Sequence, residues 1–254
     1  MPARRSAKPL TGKRVLLTRA AGENGELRER LKSVGAKVRE MPLIAIELPL
    51  DLAPLDQALR TVSSFDWIAF TSGNAVTSVL DRLRELDLTL AGVKVAAVGQ
   101  ATAADLRSRG VKVDAIPKQP SGGALARKLL GESDCVKVLL PQSHIARPEL
   151  ANQLSRHGVQ VEAVTAYRTV WSELTGAKVP STDAIVLASP SSARHLYHLI
   201  GRERRWRGET LVCIGTTTAQ ALKDLGVAPA AVARTPSTDG LFEAIQSVLQ
   251  QAPA

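Results

Sequence analysis

The run Val159-Gln-Val-Glu-Ala-Val-Thr-Ala-Tyr167-Arg168-Thr-Val-Trp171 sets how the remainder of the chain must be laid out. It interleaves β-branched and small residues with polar ones for longer than the usual strand of about five to six residues, and Tyr167 sits near its end. An earlier stretch, Val38-Arg-Glu-Met-Pro-Leu-Ile-Ala-Ile-Glu-Leu48, has the same extended character. Read as a pair of long connecting strands, the two carry the chain out of one body and later back into it. The expected partition is a discontinuous first lobe, residues 12–37 with 172–250, and a second lobe, 49–158. The stretches 38–48 and 159–171 join them, and residues 1–11 form a disordered basic tail.

Outside these stretches the pattern is strand then helix. Lys13 to Arg19 is a short apolar run followed by a helical spacing of Leu27, Leu31 and Val34 that stops at Gly35. Asp66 to Thr71, Val93 to Val98, Val111 to Ile116 and Lys137 to Gln142 read as strands. They alternate with helical patterns over 73–86, 101–109, 123–130 and 147–157. Strands that are apolar throughout and alternate with helices predict parallel sheets covered on both faces.

The chain also repeats itself. Val138 lies 123 residues beyond Val15 and Gly158 lies 123 beyond Gly35, while Gly215 and Ser237 lie 116 beyond Gly99 and Ser121. The predicted fold class is therefore α/β, with two flavodoxin-like parallel-sheet lobes joined by a two-stranded linker. The lobes form a tandem internal repeat with segment exchange, and so narrow a connection predicts a hinge and a cleft.

Composition narrows the function. The 254 residues, 44% of them hydrophobic, fill two small cores. No apolar run approaches the roughly 20 residues of a membrane span, and the first ten residues lack a secretory core, so a soluble cytoplasmic protein is expected. Cys135 and Cys213 stand apart in apolar runs and read as buried thiols. A formal charge of +9 calls for an acidic partner. With 3% aromatic residues and no helix-turn-helix or zinc-finger spacing, nucleic acid is not that partner. The basic run Arg202-Glu-Arg-Arg-Trp-Arg207 reads as a solvated loop.

In open parallel sheets ligands bind beyond the carboxyl ends of the strands. Those loops carry Arg19, Ser72, Gly99, Ser121, Gln142, Ser189, Gly215, Thr216 and Thr217, nearly all small or hydroxylated and placed to open a helix. Each is an ordinary helix cap in isolation, but a helix start also leaves backbone N–H groups free for an anion. Together, from two facing lobes, they suit a large ligand with many carboxylates. The chain has no Gly-x-Gly-x-x-Gly, Walker loop or Gly-x-Ser-x-Gly elbow, and His195-x-x-His198 reads as surface or packing rather than a metal site.

Taken in order and with their spacing, several motifs resemble the uroporphyrinogen-III synthase family over about residues 12 to 250. They are Phe70-Thr-Ser-Gly-Asn-Ala75, Val98-Gly-Gln-Ala-Thr-Ala103, Tyr167-Arg-Thr169, Ala188-Ser-Pro-Ser-Ser-Ala193 and Ile214-Gly-Thr-Thr-Thr-Ala219. The resemblance implies a small-molecule substrate, the linear tetrapyrrole hydroxymethylbilane, and ring closure with loss of water and inversion of the terminal pyrrole. It implies no cofactor and no metal. By position it implies that Tyr167 assists hydroxide departure, while the nine loop residues named above contact substrate. A monomer is expected, in transient contact with the enzyme that supplies the bilane, and neither nucleic acid nor membrane is a partner. Two other readings compete. One is a non-catalytic two-lobed binding protein for a polycarboxylate, and the other is a regulator bearing a fused DNA-binding module.

Overall fold

The computed structural model describes residues 8–174, 178–200 and 210–251. The basic run at 202–207 lies outside the described residues. The chain divides into two compact units, residues 1–45 with 170–254, and residues 46–169.

In chain order, β1 (Arg14–Leu17), α1 (Gly25–Ser33), β2 (Lys37–Glu40), β3 (Ile44–Glu47) and α2 (Ala53–Arg60) come first. They are followed by β4 (Trp67–Phe70), α3 (Gly73–Glu85), β5 (Lys94–Ala97), α4 (Gln100–Ser108) and α5 (Gly122–Leu130). Next are β6 (Lys137–Ser143), α6 (Glu149–Arg156), β7 (Gln160–Trp171), β8 (Ala184–Leu187) and α7 (Pro190–Ile200). The last elements are β9 (Thr210–Cys213), α8 (Thr216–Lys223), β10 (Ala231–Val232) and α9 (Thr238–Gln251).

Among the described residues the strands form two five-stranded sheets, in the orders β10-β9-β8-β1-β2 and β3-β7-β6-β4-β5. The pairs β1–β2, β1–β8, β8–β9, β9–β10, β4–β5, β4–β6 and β6–β7 are parallel, as in Val15 opposite Ala184 and Ile68 opposite Val95. The molecule is therefore an α/β fold with two parallel-rich sheets. Period-two geometry explains why its strands are apolar throughout. Trp67 and Ala69 enter one core with Leu125 and Leu150, while Ile68 and Phe70 enter another with Val76 and Leu106. In the first unit Val15 and Leu17 likewise pack on Leu27 and Ile245, and Leu16 on Leu196 and Leu222. Each sheet is thus covered by helices on both sides, and its parallel strands end along one common edge.

Several expectations are corrected. The stretch 38–48 is not one continuous strand, because β2 ends at Glu40 and β3 begins at Ile44. Pro42, which has no N–H to give a ladder, lies in the break. β2 is an integral partner of β1, and the division between units falls inside β3 and β7 rather than around them. Val111 to Ile116 contributes a single bridge, Ala96 to Ala115, just ahead of Pro117. Residues 8–11 of the expected tail belong to the fold: Leu10 is fully buried against Leu31, and its N–H donates to the Val34 carbonyl at 2.9 Å. Helix α2 was not anticipated, although its signal was there in a proline at the first turn and Leu55, Ala58 and Leu59 on one buried face. No described helix is long and apolar enough to cross a membrane.

Candidate functional site

In the second unit Ser72, Gly99 and Ser121 open helices, while Gln142 and Tyr167 lie within strands. Ser72, two residues past the end of β4, adopts an extended backbone and accepts the Ala75 N–H at 3.2 Å, which starts α3. Tyr167, on β7 and 8% exposed, brings its hydroxyl to 3.1 Å from Ser72 Oγ. Tyr167 belongs to the same buried cluster as Phe70, Ala75 and Val76. The Ser72–Tyr167 pair joins side chains 95 residues apart at the start of a helix whose free N–H groups favour negative charge.

Gly99 follows β5 and opens α4, with the Ala103 N–H donating to its carbonyl at 3.0 Å. A Cβ at Gly99 would stand 2.8 Å from the Cβ of Pro120, so this glycine answers to close packing rather than to backbone strain. Ser121 is exposed and accepts the Ala124 N–H at 3.2 Å at the start of α5. Gln142, half-buried on β6, lies opposite Thr165, beside a register irregularity between Gln142 and Ser143.

The first unit carries the same construction. Ser189 Oγ accepts the Ser192 N–H at 3.1 Å at the start of α7, and the Ser192 hydroxyl donates back to the Ser189 carbonyl at 2.8 Å. Gly215 opens α8 with φ −175° and ψ 177°, close to the −172° and 176° of Gly99, and Pro236 stands 3.8 Å from where its Cβ would be. Thr216 and Thr217 begin α8 with exposed side chains, whereas Thr218 is buried with no hydrogen-bond partner for its hydroxyl among the described residues. Arg19, past the end of β1, is half-buried and reaches the Glu23 carbonyl at 3.4 Å. Burial pulls its pKa below the ordinary arginine value, opposed by the charges of Glu23 and Glu26. A partly desolvated guanidinium of this kind gains from a ligand carboxylate.

Two features of the sequence repeat take physical form in both units. Ser237 caps α9 by accepting the Gly240 N–H at 3.1 Å, the same three-residue reach seen at Ser72, Ser121 and Ser189. Proline follows glycine at one interval in both units, Gly99 to Pro120 and Gly215 to Pro236, and that spacing was readable. A cavity of about 750 Å³ in the second unit does not coincide with these residues. Its walls include Leu83, Val93, Lys94 and Val111, at the amino end of β5, the opposite edge from Gly99.

A family model described as uroporphyrinogen-III synthase HemD matches residues 10–243. The chain belongs to the uroporphyrinogen-III synthase family. It is 32% identical to the chloroplastic uroporphyrinogen-III synthase of Oryza sativa subsp. japonica, over 93% of this chain and 80% of that protein. It is 29% identical to the uroporphyrinogen-III synthase of Synechococcus elongatus, over 96% and 98% of the two chains. Among solved structures, a mutant synthase from Thermus thermophilus aligns with TM-score 0.63 at 18% identity, covering 94% of this chain and 100% of that one. The Helicobacter pylori enzyme aligns with TM-score 0.62 at 21% identity, over 93% and 99%. At those identities the structural likeness speaks for the fold, while the family match carries the activity and disfavours the non-catalytic binding reading.

Proposed function

We propose that this chain closes hydroxymethylbilane to uroporphyrinogen III, with Tyr167 as the residue that assists departure of the terminal hydroxyl. The observation that carries the residue assignment is the 3.1 Å approach of the Tyr167 and Ser72 oxygens. Ser72 Oγ already accepts the Ala75 N–H, so its own proton is free to be donated to the phenol oxygen. The tyrosine proton is then directed at the substrate. As it moves to the leaving hydroxyl, the charge left on the phenol oxygen is met by the Ser72 donor and by the amino end of α3. The substrate already carries its electrophile and its nucleophile, so the larger task is orientation. The helix starts behind Ser121, Ser189, Gly215, Thr216 and Thr217, with Arg19, Gln142 and the backbone at Gly99, supply donors for its carboxylates.

The same reading includes a duplication in which the two units exchanged segments. Ranked by position within residues 1–45 and 170–254, the first sheet runs 2-1-3-4-5, a flavodoxin-like order. The second sheet takes that order when β6 and β7 are counted first and the bridge at Ala115 last. The matched capping serines and glycine–proline contacts support it, and a monomer acting in the cytoplasm fits free thiols at Cys135 and Cys213.

The test is to supply freshly generated bilane, oxidise the products and separate the porphyrin isomers. The inverted isomer should dominate with this protein present. Only the uninverted isomer, at the rate seen without protein, would remove the proposal.

A further inference from the structure

We infer that His195 is a positioning residue that fixes the rotation and slide of α7, and through it the Ser189 end of that helix. His195 is 4% exposed in the middle of α7. Its Nδ1 lies 2.5 Å from the Leu43 carbonyl oxygen, and because a carbonyl only accepts, Nδ1 carries the proton. Its ring stacks on Trp171 with centroids 4.7 Å apart and planes 4° from parallel. One turn on, His198 leans over the same indole at 5.1 Å and 41°. The Leu43 carbonyl also accepts the Ser172 N–H, at 3.1 Å. The helix is therefore tied at one point to both extended stretches of its own unit.

The remaining contacts of α7 are less directional. Ala193 and Leu196 press it to the sheet and its flank packs along α8, and apolar burial of this kind sets which face is covered more than the exact angle or slide. A hydrogen bond and a ring stack are directional. Two other helices of the candidate site have comparable ties. Arg82 of α3 makes a two-pronged pair with Asp56 of α2, and Arg109, just past α4, donates to Thr77 of α3 at 2.9 Å. The two histidines thus hold a half-exposed tryptophan as part of a mounting for the capping serine.

The consequence for turnover rests on the proposed function, so the experiment separates the two. His195→Phe keeps a ring for Trp171 and loses the donor. His195→Asn restores a donor at the Nδ1 position and loses the ring. Hydrogen exchange at the amides of residues 191–193 reads the tie without any substrate. It should quicken roughly tenfold in His195→Phe, the size of one ordinary hydrogen bond, and return to within about threefold of the parent in His195→Asn. With bilane, KM for His195→Phe should rise by a similar factor while kcat stays within about threefold, again with rescue by asparagine. Unchanged exchange in His195→Phe would overturn the inference. So would equal losses in both variants that follow a lowered melting temperature. A parent protein that forms no inverted isomer would instead remove the proposed function and leave the exchange result to decide this one.

Discussion

At the scale of single residues, Tyr167 and Ser72 were each legible from motif position, but their pairing was not. Nothing in a chain pattern announces that residues 95 apart share a hydrogen bond. Tyr167→Phe removes the proton and keeps the packed ring, so the rate of inverted-isomer formation should fall about 10²-fold, with KM within about threefold. Steady-state kinetics with isomer separation check this, and an unchanged rate would end the assignment. Gly99 tells a parallel story. Its backbone is extended and open to any residue, yet a Cβ there would collide with the Pro120 ring at 2.8 Å. Gly99→Ala should cost about 1–3 kcal/mol of stability by denaturant titration, and Gly215→Ala, with 3.8 Å to Pro236, much less. Equal costs would mean that the prolines yield.

Among elements, the helices and buried strands were the most readable because apolar period and helix stop signals are local. The failures were local conflicts settled elsewhere. Pro42 divides an extended stretch between two sheets, and Val111 to Ile116, apolar enough for a strand, makes one bridge. The end of α3 holds another conflict. Asp87 sits at φ 55°, in the left-handed region where glycine is usual, while the Leu88 N–H closes the helix on the Leu83 carbonyl at 2.8 Å. Asp87→Gly should therefore raise stability by about 0.5–1 kcal/mol, measured by thermal melting. A loss would show that the aspartate side chain holds the turn.

For the whole molecule, charge has two roles. The formal +9 suits an acidic substrate, but some cations serve the fold. Hydrogen bonding by Arg82 holds the Asp56 pKa below the usual carboxylate range, and Arg14 does the same for Asp183. A carboxylate with a lowered folded pKa adds stability that is fully present above its unfolded value, near 4. That stability is lost as pH falls through the lower folded value. Stability should therefore drop below about pH 4, and Asp56→Asn and Asp183→Asn should each make that acid limb shallower in melts across pH. An acid limb unchanged in both variants would refute the linkage. By itself the sequence determined the α/β class, the alternation of buried strands with capped helices, the repeated glycines and serines and the family, since each follows from local period, residue chemistry or ordered motifs. Only the tertiary structure decided that Tyr167 meets Ser72, that Pro120 crowds Gly99 and that His195 fastens α7 to Leu43 and Trp171. Such contacts join residues far apart in the chain, and they exist only where strand order and helix packing bring their backbones together.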